Sequence, residues 1–405
     1  MTPEQTNHLE NIQKAAQNLN GIIRKTDLIF SEFFSKETGN RIYIKPENLQ
    51  RTGSFKIRGA YNRIANLTEE ERAKGIIASS AGNHAQGVAL AASTMGIQAT
   101  IVMPLVTPLI KVDSTKSYGA DVVLHGNIYD EAYGKAVDLA ETHGYTFVHP
   151  YNDYDVIYGQ GTIALEILND LEDVDVILAP VGGGGLISGI ALAAKAIKPN
   201  IQVIGVEPVG ASSMLAALDA GKPVTLEKVQ TAAEGVAVKT VGTTCHDICS
   251  KYLDGIIQVS EDEIMEAVLL LLERHKIIAE AAGALPLAAI KKLNTRNKTV
   301  ACVVSGGNID MVTISSTINS GLVSRGRVLC FTVDLPDTPG QLLRIAQILS
   351  DHRANVIKLE HNQFKALDRV QHVQLEVTAE TNGHEHIATV IAALEADGFI
   401  VNRIY

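Results

Sequence analysis

The sequence predicts an α/β protein built on parallel strands, followed by a small ferredoxin-like domain of order βαββαβ. Three observations carry this. From about Ile42 to Val304, short β-branched runs alternate with helical stretches, the pattern of strands joined by right-handed crossovers. Several runs are apolar on both faces, for example Val174-Asp175-Val176-Ile177-Leu178 and Val303-Val304, which suits a parallel sheet covered by helices on both sides. Near residue 320 the alternation stops, and the tail reads strand, helix, two strands, helix, strand.

In chain order, strands are expected at 41–45, 75–79, 99–103, 120–124, 146–149, 174–180, 202–207, 255–259 and 299–305. Helices are expected at 85–95, 129–143, 161–171, 186–197, 261–274 and 283–293. Ser320-Gly321-Leu322-Val323-Ser324-Arg325-Gly326-Arg327 reads as a polar joint, giving domains 1–320 and 327–405. The tail strands fall at 328–335, 355–364, 369–378 and 399–404, and its helices at 339–352 and 385–397. Thr338 reads as a helix cap and Pro339 as the first helical residue. Leu342, Ile345, Ala346 and Leu349 then repeat at helical spacing.

The 405 residues are 46 % apolar, enough for a large core. Lys+Arg 35 against Asp+Glu 45 gives a net charge of −10, which argues against a nucleic-acid or anionic-membrane partner. The polar start Met1-Thr2-Pro3-Glu4 has no leader pattern, and four cysteines are no disulfide framework; both point to a cytoplasmic, reducing compartment. The uncharged stretch between Asp175 and Lys195 is long enough to span a bilayer, but Pro180 and Gly182 to Gly185 make it a strand, a turn and a helix. Cys245, His246 and Cys249 lack a second pair at zinc spacing, and His384-Glu385-His386 reads as a solvated loop.

Four loops after strands carry the candidate chemistry, where ligands bind in open α/β sheets. In Val181-Gly182-Gly183-Gly184-Gly185-Leu186, four glycines between a strand and a helix let main-chain N–H groups and a helix N-terminus meet a phosphate. The dinucleotide fingerprint fails in every register, yet Glu207 at the end of the next strand mimics a ribose-binding acid, so a nicotinamide nucleotide stays a rival. In Arg51-Thr52-Gly53-Ser54-Phe55-Lys56-Ile57-Arg58-Gly59-Ala60, a lysine at a helix start has its pKa lowered, which suits a nucleophile or base and equally fits a solvent-facing side chain. Ser79-Ser80-Ala81-Gly82-Asn83-His84-Ala85-Gln86-Gly87 offers N–H groups to a carboxylate or is simply a helix start. Ser305-Gly306-Gly307-Asn308 ends the last large-domain strand.

Taken together, these four motifs, in this order, resemble the threonine dehydratases, fold-type II pyridoxal-phosphate enzymes, over about residues 10–315, which implies two open parallel-sheet α/β subdomains, the smaller, about 50–150, inserted in the larger. The tail beyond 327 resembles an ACT regulatory domain, including the turn Asp337-Thr338-Pro339-Gly340. The resemblance implies that Lys56 holds pyridoxal phosphate covalently, with Phe55 beside the ring, and that Gly182, Gly183, Gly184, Gly185 and Leu186 cradle its phosphate. It implies that Asn83 bonds the ring hydroxyl, that Ser305 faces the pyridine nitrogen, and that Ser80, Ala81, Gly82, Asn83 and His84 hold the substrate carboxylate. A serine at that nitrogen leaves it neutral, which weakens carbanion stabilisation and favours prompt β-elimination. The implied reaction converts L-threonine to 2-oxobutanoate and ammonia, with L-serine also accepted, in a homotetramer answering a small-molecule effector through its tail.

Relatives are partly separable. Cysteine synthases carry an Asp-Arg context after the lysine, where this chain has Ile57. Serine racemases carry a second serine at the position of Ala81, the base on the opposite face, and an acid at the position of Ser213 that completes a divalent-cation site after Glu207-Pro208. The absence of the serine at Ala81 favours dehydration over racemisation, and Ser213 in place of the acid leaves a monovalent cation or none as the expectation. A serine-preferring dehydratase or racemase, and a non-catalytic nucleotide- or effector-binding protein, remain the alternatives.

Overall fold

The computed structural model describes residues 2–336, 338–362 and 372–405. It divides into two compact units, Met1–Asp310 and Met311–Tyr405. Ten strands are described in the first: β1 (Ile29–Phe30), β2 (Arg41–Pro46), β3 (Ile76–Ser79), β4 (Ala99–Met103), β5 (Asp121–Leu124), β6 (Thr146–Phe147), β7 (Val176–Pro180), β8 (Gln202–Pro208), β9 (Gly255–Val259) and β10 (Thr299–Val304). The larger sheet has the order β1-β2-β10-β7-β8-β9, parallel except for β1. The smaller, β5-β4-β3-β6, is wholly parallel and inserted between β2 and β7.

The doubly apolar strands behave as their composition demands. Along β7, Ile177 and Ala179 enter one core cluster while Val176 and Leu178 enter the other. On the first face the helices Tyr154–Asp170 and Gly185–Ile197 pack with backbones nearly touching. A Cβ on Gly189 would lie 2.3 Å from the Ile157 carbonyl oxygen, and one on Gly159 would lie 2.5 Å from that of Arg58, so only glycine fits either crossing. The second crossing seats the helix Lys56–Ala65. The expected helix at 161–171 thus begins earlier, at Tyr154, where the Asp153 carboxylate accepts from the N–H groups of Asp155 and Val156.

A buried ion cluster ties these elements together. Arg58 donates to Glu47 through Nε (2.8 Å) and Nη2 (2.7 Å), and to Glu166 through Nη1 (2.6 Å) and Nη2 (3.0 Å). Lys45 Nζ donates to Glu166 and to the Thr26 carbonyl, each at 2.5 Å. Lys45, Glu47 and Arg58 are fully buried. Burial alone would raise the Glu47 pKa, but Arg58, Lys45 and the Thr26 hydroxyl together hold it below the usual carboxylate range.

The second unit holds β11 (Val328–Pro336), β12 (Asn355–Asn362), β13 (His372–Glu380) and β14 (Val401–Arg403) in the antiparallel order β12-β13-β11-β14, with helices Gln341–Asp351 and His384–Ala396. This is the expected βαββαβ arrangement. Its core joins Leu329, Phe331 and Val333 to Ile345, Leu349, Val390 and Leu394.

Three local expectations are corrected. The joint at 320–327 is largely helix: Met311–Ser324 runs through it, burying Thr317 and Gly321 at i, i+4 spacing, and the division falls after Asp310. The helix expected from Pro339 starts at Gln341, with Gly340 at its N-cap (φ +97°) in place of Thr338. His384 and His386 open a helix rather than lie in a solvated loop, and their Nε2 atoms donate to the carbonyls of Ser324 (3.0 Å) and His352 (2.6 Å). Asp337 and the strand ends expected at 363–364 and 369–371 lie outside the described residues. Among the described residues no helix is long and apolar enough to cross a membrane.

The ion cluster makes a testable demand. Arg58→Met leaves two carboxylates facing one cation, and denaturant unfolding should report a loss of about 3–5 kcal/mol. Adding Glu47→Leu to Arg58→Met should recover part of that loss, because the strandedcharge is removed.

Candidate functional site

The loops after β3, β6, β7 and β10 open at the C-terminal ends of both parallel sheets, around a cleft of about 680 Å³. Phe55, Lys56, Ser80 to His84, Gly182 to Leu186 and Ser305 all line it, so the residues that the resemblance assigns to cofactor and substrate meet there. The wall also holds residues that no motif singled out, among them Lys111, Tyr151, Glu234 and Glu280.

Lys56 is the first residue of its helix. The Phe55 N–H donates to the Ser305 carbonyl at 3.0 Å, and Ser54 bridges Gly306, so the lysine loop is stitched to the end of β10. Lys56 Nζ donates to the Pro150 carbonyl at 2.9 Å and sits 5.3 Å from the Phe55 ring centroid. Burial lowers its pKa to about 8, weakly opposed by Cys245 and Glu280. Pro150 is held by its neighbour: His149 Nδ1 accepts from the N–H groups of Tyr151 (3.2 Å) and Asn152 (2.9 Å). Burial and the nearby Lys56 push His149 down to about 4, so it keeps that acceptor at neutral pH.

The glycine turn is packed on both sides. A Cβ on Gly183 would lie 2.4 Å from the Tyr151 ring, one on Gly185 2.8 Å from the Tyr151 Cβ, one on Gly182 2.9 Å from the Val236 Cα, and one on Gly184 2.6 Å from the Cys245 Cβ. Gly184 is also left-handed, with φ +100°. The helix that follows, Gly185–Ile197, has no side-chain cap, so its first N–H groups and positive end are free for an anion.

Asn83 opens the helix Asn83–Thr94, likewise without a side-chain cap. Its Nδ2 donates to Glu280 Oε1 at 2.6 Å, and its Oδ1 accepts from Asn308 Nδ2 at 2.8 Å. Burial raises the Glu280 pKa to about 7. His84 is buried, and its Nε2 donates to the Val148 carbonyl at 2.9 Å. Burial and Lys56 push it down to about 3, so it brings no charge to a carboxylate. Across the cleft mouth, Lys111 pairs with Glu234 at 3.0 Å.

Glu207 is not part of this wall. It is fully buried, and its carboxylate accepts from the N–H groups of Met214 (2.8 Å) and Leu215 (3.0 Å) at the start of the helix Ser213–Ala220. The ribose-binding role therefore fails on geometry. Cys245 and Cys249 lie buried behind the glycine turn, their sulfurs meeting the Tyr151 carbonyl (3.4 Å) and Ser188 Oγ (3.5 Å).

The family profile described as "Pyridoxal-phosphate dependent enzyme" matches residues 19–306. The chain is 47 % identical to L-threonine ammonia-lyase of Thermotoga maritima, over 98 % of this chain and 99 % of that one. Its structure is similar to the processed form of threonine deaminase isoform 2 from Solanum lycopersicum, with TM-score 0.76 and 40 % identity over 79 % of this chain and 94 % of that one. It is also similar to maize serine racemase, with TM-score 0.74 and 34 % identity over 78 % and 98 %. The chain belongs to the pyridoxal-phosphate-dependent enzyme family.

Proposed function

We infer that this protein is an L-threonine ammonia-lyase, converting L-threonine to 2-oxobutanoate and ammonia and accepting L-serine less strictly. The observation that carries the reading is one cleft that combines the Lys56 amine, an uncapped glycine-turn helix start, the Asn83 amide and Ser305. This donor set fits pyridoxal phosphate. Lys56 would hold its aldehyde carbon, Gly182 to Leu186 its phosphate, Asn83 its ring hydroxyl and Ser305 its pyridine nitrogen, with Phe55 beside the ring. When bound, the group supplies an electron sink for the pair left at the substrate Cα.

The chain's own residues do the rest. Main-chain N–H groups of Ser80 to His84, at the positive end of the helix Asn83–Thr94, hold the substrate carboxylate. Lys56, as a neutral amine, takes the proton from Cα. Burial already favours that neutral form, so little work is needed to deprotonate it. Ser305, an alcohol and not a carboxylate, would leave the pyridine nitrogen of the bound group unprotonated, which would favour loss of the β-hydroxyl. Water leaves from Cβ and is returned on hydrolysis, so the balance is threonine to oxo acid plus ammonia.

The likeness to a serine racemase supports a second reading, racemisation of serine. Ala81 opposes it, because it puts a methyl group in the loop where an opposite-face proton donor is needed. We read the second unit as an ACT-like regulatory domain that binds a small-molecule effector and helps assemble a homotetramer. Its βαββαβ order and the exposed apolar side chains of Val356, Ile357 and Leu359 on the edge strand β12 support that reading. The net charge of −10 supports a protein without a nucleic-acid partner, and the buried, free cysteines support a cytoplasmic location.

Four outcomes test these readings. Lys56→Ala should abolish the visible absorbance of the bound cofactor and lower threonine turnover by at least the roughly 10²–10⁴-fold that a positioned base contributes. In the parent, cofactor capture by apoprotein needs the neutral amine, so its rate should rise about tenfold per pH unit below about 8 and level off above. Ala81→Ser should raise D-serine formation from L-serine while the parent makes almost none, as read by chiral chromatography; a parent that racemises as fast as it eliminates contradicts the dehydratase. Truncation after Asp310 should keep the cofactor and threonine turnover, abolish any effector response and reduce the assembly size in light scattering.

A further inference from the structure

The cleft contains a relay of side-chain amides whose direction is set by one main-chain atom. The Thr52 carbonyl can only accept, and Asn308 Nδ2 donates to it at 2.7 Å. The other N–H of that nitrogen goes to Asn83 Oδ1 at 2.8 Å. Asn83 must then turn its own Nδ2 the opposite way, where it donates to Glu280 Oε1 at 2.6 Å. Glu280 terminates the relay as the acceptor. Its position is confined: its N–H donates to the Gly306 carbonyl at 3.1 Å, and Oε1 lies so close to Gly306 that a Cβ there would meet it at 2.3 Å. No lysine or arginine forms an ion pair with it among the described residues. None of the sequence motifs includes this residue, and a carboxylate on the cleft wall with no ion-pair partner among the described residues needs a reason to be there.

We propose that Glu280 is a positioning residue for the cofactor: by accepting one N–H of Asn83 it fixes the amide so that the other N–H is offered to the ring hydroxyl of bound pyridoxal phosphate. The proposal rests on the reading that Asn83 bonds that hydroxyl. The two N–H groups of a primary amide lie in one plane, so anchoring one of them aims the other. Asn308 anchors the oxygen and Glu280 anchors the nitrogen, which together stop rotation about the Asn83 side chain. The raised Glu280 pKa agrees with a carboxyl that burial, and not a cation, dominates. Either protonation state keeps an oxygen able to accept from Asn83.

The test is cofactor affinity and absorbance, not turnover alone. Full-length apoprotein is titrated with pyridoxal phosphate for the parent, Glu280→Gln, Glu280→Met, Asn83→Ala and the pair Glu280→Met/Asn83→Ala. Glu280→Met keeps the volume and removes the acceptor; Glu280→Gln keeps an accepting oxygen. Glu280→Met and Asn83→Ala should each raise the dissociation constant about tenfold, the worth of one well-made hydrogen bond. Both should shift the visible absorbance maximum in the same direction. The pair should bind no worse than Asn83→Ala alone, because Glu280 acts through Asn83. Glu280→Gln should stay within about threefold of the parent with an unshifted maximum. Additive losses in the pair, or a Glu280→Gln as weak as Glu280→Met, overturn the proposal. A silent Glu280→Met beside an impaired Asn83→Ala overturns it and leaves the Asn83 assignment standing. A silent Asn83→Ala removes that assignment and the proposal with it. Should Glu280→Met not fold, as judged by circular dichroism, Glu280→Ala supplies the non-accepting variant for the same comparison.

Discussion

The catalytic unit depends on two cations and two carboxylates that fold together, three of them wholly away from water and Glu166 partly so. Lys45 comes from β2, Glu47 from the turn just after it, Arg58 from the first turn of the Lys56 helix and Glu166 from the helix Tyr154–Asp170. Removing ions from water is costly, and only near-complete mutual satisfaction offsets that cost. The consequence is geometric. Arg58 is two residues from Lys56, and its guanidinium makes four hydrogen bonds to two carboxylates. The helix that presents Lys56 therefore has one seat against the helix Tyr154–Asp170, and the glycine crossing at Gly159 sets its distance. The second stitch, from Phe55 and Ser54 to the end of β10, brings the lysine and Ser305 to the same wall.

The cleft then uses burial, more than formal charge, as its working principle. Lys56 is lowered to about 8, His84 to about 3 and His149 to about 4, while Glu280 is raised to about 7. Every one of these shifts moves a group toward its neutral form, and in every one desolvation is the largest cause. What remains to hold anions is the backbone: two uncapped helix starts, one after the glycine turn and one at Asn83. A site arranged this way recognises phosphate and carboxylate through oriented N–H groups and keeps its side chains free for proton movement.

Much of this was legible in the residues. The parallel strands announced themselves as runs apolar on both faces, and the four loops as glycine or polar turns after those runs. Lys56, Asn83 and Ser305 stood inside those loops. Glu280, Tyr151 and Pro150 were not legible, because each works through a long-range contact: Glu280 reaches Asn83 from nearly two hundred positions away, and Tyr151 matters only as the surface on which Gly183 and Gly185 lie. Glu207 misled because a carboxylate at a strand end looks the same whether it meets a ribose or, as here, the start of its own following helix. The stretch around Ser320 and Gly321 misled for a different reason. Its small residues suggest a turn, yet smallness is also what lets Gly321 sit on the buried face of a helix. A left-handed Gly340 at the next helix start overrode the more conventional threonine-proline signal.

The glycine turn has a thermodynamic consequence. Its four residues are wedged between Tyr151 on one side and Val236 and Cys245 on the other, and the Gly183 carbonyl is bonded to the Gly242 N–H at 3.2 Å. A loop that must order itself around its ligand gives up about 1–2 kcal/mol of affinity for each residue it freezes. Here that disorder was surrendered when the chain folded, so an arriving phosphate meets donors already aligned. The glycines, which are the most entropically expensive residues to immobilise, are thereby charged to the folding equilibrium and not to the binding one.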